Sequence, residues 1–354
     1  MNPALERLRA LLPRHGVEAF LVTNAANRRY ISGFDGTAGC LLVGREEAFL
    51  VTDSRYREQA EAQAPQFEVL LWRRNLAATL ARIIRKQSWK RVAFEAKDVS
   101  YSFYREMTRF FPGELVPLES ALEELRRVKS DREIKLLRQG AALLDRGFNY
   151  LLEYLKPGLT EQEVALELEY FLRRQGAQEA AFRFIVASGQ RGSMPHGVAS
   201  GKRLQQGELV TIDFGVIYQG YASDMTRTLA LGSADRRQRQ VYQLVYRAQQ
   251  AAREGIKAGM SAAEADRLAR EIIDGAGLGG YFGHGLGHGV GLETHERPVL
   301  SPLGKEILEP GMVVTIEPGV YIPGWGGVRI EDMVLIGRDR GETLNSSPRE
   351  LIII

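Results

Sequence analysis

The chain has 354 residues, enough for two domains, and 44% of them are apolar, enough to give each domain a core. A formal net charge of +3, with basic residues scattered in short runs such as Arg73-Arg74 and Arg85-Lys86, excludes a nucleic-acid-binding stripe. A single cysteine, Cys40, excludes an internal disulfide and a thiolate metal cage and suits a reducing, cytoplasmic location; no window is apolar for long enough to span a membrane.

At the N-terminus Leu5, Leu8, Leu11 and Leu12 alternate with Glu6, Arg7, Arg9 and Arg14, a helical stripe over 3–14 without the apolar core of a signal peptide. Strand-like runs follow at 19–23, 40–43, 48–52, 67–72, 92–95 and 115–118, with helical patterns at 55–63, 76–86 and 102–111 between them. Such alternation predicts a small α/β domain with a mixed sheet over residues 1–125. It carries no His/Asp/Glu cluster, and its segment 27–37, with Gly33 and Gly36, reads as a loop. Residues 121–137 are charged and free of Gly and Pro, which predicts one helix bridging to a second domain over 126–354.

The second domain repeats itself. Thr160 with Glu163 forms a capping box that opens a helix ending near Gly176, and roughly a hundred residues later Ser261 with Glu264 does the same for a helix ending near Gly275–Gly277. The strand Val210-Thr211-Ile212-Asp213-Phe214-Gly215 matches Val314-Thr315-Ile316-Glu317-Pro318-Gly319. Two copies of an ααββ unit explain both coincidences at once.

Asp213 and Asp224 lie symmetrically about the turn near Tyr218–Gly220, so an antiparallel hairpin is expected to set them directly opposite each other. Glu317 and Glu331 bear the same relation to Gly324. A twofold relation between the copies would bring all four carboxylates together, where their charges demand cations. Four of the five histidines, His196, His284, His288 and His295, fall in the same domain. The run Gly283-His284-Gly285-Leu286-Gly287-His288-Gly289 is too rich in glycine for a helix and presents its imidazoles from a loop or strand that packs closely on a neighbour. Oxygen ligands with few nitrogens and no thiolate suit manganese or cobalt, with iron or zinc as alternatives. Four acids can hold two such ions about 3.5–4 Å apart with a hydroxide between them, and that arrangement points to hydrolysis.

Residues from about 130 to 350 resemble the metallopeptidases of the pita-bread fold, which include methionine aminopeptidase, aminopeptidase P and prolidase. The resemblance is carried by Asp213-Phe214-Gly215, by Ser223-Asp224-Met225-Thr226-Arg227-Thr228, by the histidine run from His284 to Glu296, by Glu317-Pro318-Gly319 and by Arg329-Ile330-Glu331-Asp332. It implies Asp213, Asp224, His288, Glu317 and Glu331 as ligands of two metal ions, with Asp213 on one ion, His288 and Glu317 on the other, and Asp224 and Glu331 bridging. The Pro195-His196-Gly197 turn with His284, His295 and Arg329 resembles the branch that cleaves before proline, and the first 125 residues, including Tyr30-Ile31-Ser32-Gly33-Phe34, resemble its creatinase-type accessory domain.

The fold so implied is α+β: a duplicated pita-bread domain with a curved antiparallel sheet, preceded by a smaller α/β domain. The implied activity is removal of the N-terminal residue from peptides with proline in second place, by a cytoplasmic homodimer. The nucleophile is assigned to the bridging hydroxide, with Glu317 as proton shuttle and His196 and His295 as donors to the scissile carbonyl; His284 and Arg329 complete the candidate set. Arg183 stands where relatives commonly carry an acid or a small polar residue. Rival readings are a hydrolase of other amides, such as a methionine aminopeptidase, and a binding module that has lost its metals. The intact ligand set argues against the module. Dipeptidase and aminopeptidase remain open alternatives.

Overall fold

Residues 3–354 are described by a computed structural model, and the chain divides into two units, Met1–Arg126 and Arg127–Ile354. In the first unit α1 (Pro3–Arg14) buries Leu5, Leu8 and Leu12, the stripe expected from the sequence. Its strands are β1 (Ala19–Val22), β2 (Cys40–Gly44), β3 (Ala48–Thr52), β4 (Glu68–Leu71), β5 (Arg91–Glu95) and β6 (Glu114–Leu118). They lie in the order β4-β3-β2-β1-β5-β6; β1, β2 and β3 pair antiparallel, and the outer pairs are parallel, a mixed sheet as predicted. Alternate residues of β1 enter different cores, Phe20 and Val22 on one face and Ala19 and Leu21 on the other. Helical cover on both faces is why this strand reads as a continuous apolar run.

Two expectations in this region need correction. The supposed loop 27–37 begins as a helix, α2 (Ala25–Ser32): the Asn24 side chain accepts from the Asn27 amide, and Gly33 closes the helix at φ +85°. The supposed continuous helix 121–137 is two helices. After α3 (Arg57–Gln63), α4 (Leu76–Lys86) and α5 (Tyr101–Phe110), α6 (Ala121–Arg126) ends and α7 (Asp131–Tyr154) starts afresh, because Ser130 and Glu133 form a capping box that marks a new N-terminus.

The second unit shows the repeat directly. The pair α7 and α8 (Glu161–Arg174) precedes β7 (Glu179–Ala180), β8 (Ile185–Ser188), β9 (Leu209–Phe214), β10 (Val216–Tyr218), β11 (Tyr221–Ala222) and β12 (Met225–Ala230). The pair α9 (Arg236–Gly255) and α10 (Ala262–Gly275) precedes β13 (Gly287–Gly289), β14 (Glu296–Leu300), β15 (Val313–Ile316), β16 (Gly319–Ile322), β17 (Gly326–Arg329), β18 (Asp332–Ile336) and β19 (Gly341–Thr343). All four helices open with a capping box, the two unforeseen ones being Ser130 with Glu133 and Asp235 with Gln238.

The strands form open antiparallel sheets, chiefly β12-β9-β8 and β14-β13-β15-β18-β19. One core joins the first sheet to α7 and α8, and another joins α9 and α10 to the second. This is the duplicated α+β arrangement expected. Among the described residues no helix is long and apolar enough to cross a membrane.

Candidate metal centre

The carboxylates come from the ends of two hairpins. In the first, β9 and β12 pair Asp213 with Thr226, and β10 and β11 pair Tyr218 with Tyr221. The expected face-to-face pairing of Asp213 with Asp224 is therefore wrong by two residues. The turn is the dipeptide Gln219-Gly220, with φ +48° and +81°, the twist of a two-residue hairpin turn, and it fixes the register. A shift of two residues keeps the same face, so Asp224 lies diagonal to Asp213 on the same side of the ribbon.

In the second hairpin, Val313 pairs with Leu335 and Ile316 with Asp332 on one side, and Gly319 pairs with Arg329 on the other. The same register runs through both ladders, which sets Glu317 opposite Glu331 as expected. The hairpins join where the Glu331 amide donates to the Thr226 carbonyl (3.0 Å) and the Thr228 hydroxyl donates to the Arg329 carbonyl (2.9 Å).

β13 brings in His288 between β14 and β15. A Cβ on Gly287 would stand 2.1 Å from the Thr315 carbonyl oxygen, and one on Gly289 would stand 2.2 Å from that of Arg297, so only glycines let the strand fit. His288 Nδ1 faces the Gly289 carbonyl at 3.0 Å, an acceptor, which puts the ring proton on Nδ1 and leaves the Nε2 lone pair for the site. Nε2 lies 3.3 Å from Glu317 Oε1 and 3.8 Å from Asp224 Oδ2. Ligand atoms of Asp224, His288 and Glu331 all fall within 4.8 Å of one another.

The electrostatics are those of a site built for cations. Burial first, then the neighbouring Glu331, Asp213 and Glu317, pushes the Asp224 carboxyl well above its usual range. Glu331 is raised in the same way by burial and then by Glu317 and Asp213, and Glu317 is raised by burial although His284 and Arg329 oppose the shift. Asp213 Oδ1 and Asp224 Oδ1 are buried and, among the described residues, receive no hydrogen bond. Orphaned buried carboxylate oxygens are costly, and hard divalent cations are the partners that this oxygen-rich donor set fits.

A second layer fixes the carboxylates. Arg329 donates from Nη2 to Asp213 Oδ2 (2.6 Å), from Nε to Thr226 Oγ1 (3.1 Å), and from Nη1 to Tyr321 Oη (2.7 Å) and the Pro195 carbonyl (3.2 Å). Burial opposes its charge, but the carboxylates of Asp213, Glu317 and Glu331 more than restore it. Thr226 Oγ1 donates to Glu331 Oε2 at 2.6 Å, and Thr315 Oγ1 donates to Glu317 Oε1 at 3.0 Å while accepting the His288 amide. Burial raises the Tyr321 phenol to about 12, so it stays neutral and donates to His284 Nε2 at 2.9 Å. With Nδ1 on the Gly285 carbonyl, both nitrogens of His284 are engaged, and it stands behind the site rather than in it.

His196 and His295 are exposed, and the His295 ring sits 4.2 Å from that of His288. Partial desolvation holds the His295 imidazole below its ordinary value, which favours the neutral ring. Arg183 is exposed. The sequence reading missed Thr226, Thr315 and Tyr321; the first two stood inside motifs that had been singled out, whereas nothing local marked Tyr321.

Comparisons with known proteins agree with this picture. Residues 135–338 match Metallopeptidase family M24, and residues 5–128 match the Creatinase/Prolidase N-terminal domain. An uncharacterized peptidase, YqhT, of Bacillus subtilis is 45% identical over 351 residues, covering 99% of each chain. The Xaa-Pro dipeptidase from Bacillus anthracis has a solved structure that superposes with a TM-score of 0.97 at 43% identity, over 99% of each chain. The X-Pro aminopeptidase from Thermotoga maritima gives a TM-score of 0.93 at 35% identity, again over 99% of each chain.

Proposed function

The chain belongs to metallopeptidase family M24, and from that premise we propose that it is a two-metal exopeptidase that releases the first residue from small peptides with proline in second place. Residues 126–354 form the catalytic domain and 1–125 an accessory domain. The observation that carries the reading is the gathering of Asp224, His288 and Glu331 donor atoms, with Glu317 beside His288 and the orphaned Asp213 oxygen on the same ribbon face.

Asp213, Asp224, His288, Glu317 and Glu331 would hold the two ions. When bound, manganese or cobalt ions there supply a water-derived nucleophile at neutral pH and neutralise the negative charge that develops on the substrate. Glu317, as carboxylate, takes a proton from the attacking water and delivers it to the proline nitrogen as the amide breaks. His295, neutral, and His196 donate hydrogen bonds to the carbonyl oxygen as charge develops. A bond before proline has no N–H and a fixed ring geometry, so an enzyme for it must grip the free amine and the ring rather than that N–H. The similarity to an Xaa-Pro dipeptidase and to an X-Pro aminopeptidase supports the proline preference and leaves both peptide lengths in play.

The test is turnover by manganese- or cobalt-loaded protein of an Xaa-Pro dipeptide, its one-residue extension and a Met-Ala peptide, with calorimetry counting the bound ions. Cleavage of the proline peptides with two ions bound supports the reading. Cleavage of Met-Ala alone, or one ion per chain, overturns it.

A further inference from the structure

His196 is exposed, and among the described residues no side chain hydrogen-bonds its imidazole. Its position is therefore set by the backbone between Ser188 and Ser200, whose regular structure is one short 3₁₀ segment, Gly189–Ser193, and a single bridge from Val198 to Ile185. A residue that must meet a reacting carbonyl cannot rest on one bridge alone, so the loop needs further restraint.

It lies in Glu161, the first residue of α8. This side chain is 0% exposed and carries no part of the metal centre. One oxygen, Oε1, takes the Ser188 amide and hydroxyl, each at 2.9 Å. The other, Oε2, takes the Ser200 amide (3.1 Å), the Ser200 hydroxyl (2.7 Å) and the guanidinium of Arg191. One carboxylate thus ties the entry of the loop to its exit, one oxygen for each.

Arg191, held by that carboxylate, donates onward to the Val198 carbonyl (2.9 Å), and the α8 amides of Glu161 and Gln162 donate to the carbonyls of Lys202 and Ser200. The N-terminus of α8 also favours the negative charge electrostatically. At its tip the loop is pinned again, where Arg329 donates to the Pro195 carbonyl. Burying a carboxylate is expensive unless donors surround it, and here all five reach it from the segment that carries His196.

We infer that Glu161 is the positioning residue of His196: it clamps residues 188–200 so that the imidazole meets the substrate carbonyl. The inference rests on the proposed role of His196 in proline-peptide cleavage. Glu161→Gln keeps size and shape but turns two N–H groups toward hydrogen-bond donors, so one end of the loop is released.

The test is a double-mutant cycle with His196→Ala in the full-length, metal-loaded protein. Glu161→Gln is expected to lower kcat about tenfold with little change in KM, since displacement of a group that acts on the transition state is read in kcat. In the His196→Ala background it is expected to change kcat less than about twofold, as an effect relayed through an absent side chain must vanish. Five histidines in the chain give a sparse imidazole NMR spectrum in the zinc-loaded protein, in which Glu161→Gln should move or broaden the His196 signal and leave His284 and His288 in place.

Equal losses in both backgrounds, or an unmoved His196 signal, overturn the clamp while leaving the proposed activity standing. Full activity in His196→Ala removes the role of His196 itself and the inference with it. Should Glu161→Gln fail to fold, Ser200→Ala weakens the exit end alone by deleting its hydroxyl bond, and the same pair of outcomes decides.

Discussion

Thr226 shows how much of the candidate metal centre resides in residues outside the proposed ligand set. Its hydroxyl donates to Glu331 and accepts from Arg329, so it aims a carboxylate and satisfies a buried guanidinium together. Thr226→Val keeps the shape and deletes both bonds. Loss of an orienting partner of this kind typically weakens metal affinity by about 10–100-fold, and the unpaired Arg329 Nε should cost about 1–3 kcal/mol of stability. Competition with a fluorescent chelator and thermal unfolding measure the two effects; unchanged affinity would mean that Glu331 needs no such support. The five proposed ligand positions stood out in the sequence because their residue types and order are unusual. Tyr321 was not, since its neighbours His284 and Arg329 reach it only after the hairpin and the histidine loop have folded together.

Elements were legible where the signal was local. Capping boxes at Thr160 and Ser261 gave helix starts that the structure reproduces, and the same four-residue pattern at Ser130 and Asp235 announced two more that the reading passed over. The register of the first hairpin was misjudged because the symmetry of two acids was weighed above the Gln219-Gly220 turn, although backbone geometry decides register and side-chain charge does not. The capping boxes also carry a pH signature. Backbone and hydroxyl donors of Thr160 hold Glu163, and those of Ser261 hold Glu264, below their ordinary 4.5. A carboxylate depressed in the folded state contributes stability above its unfolded pKa, and that contribution is lost as pH falls through the lower folded value. Replacing both by glutamine keeps the reciprocal bond without the charge. The double variant should therefore lose less stability than the parent on acidification below about pH 4.5, read as Tm against pH; an unchanged acid slope would refute the assignment.

At the scale of the whole molecule, duplication explains why the candidate site draws on two hairpins from distant stretches of chain, and it gathers acids whose mutual repulsion makes the fold's stability depend on pH. The helix pairs and strand motifs betrayed the repeat in the sequence, whereas the insertion of β13 between β14 and β15 is a long-range pairing that no local pattern encodes. Without cations, Asp224, Glu317 and Glu331 are raised above their ordinary values, so between the unfolded and folded pKa the native state holds more protons than the unfolded chain. Stability must then fall as pH rises through that window, the reverse of the capping glutamates, because forcing these acids to ionise together in a dry cavity is unfavourable. Divalent ions held by these carboxylates would remove the repulsion and expel the protons. Chelator-treated protein should accordingly lose Tm from about pH 5 upward while the manganese-loaded protein does not, and calorimetry of metal binding near pH 6 in buffers of different ionisation enthalpy should register proton release. Parallel Tm profiles with and without metal, or binding with no proton release, would show that the carboxylates are relieved by something other than a cation.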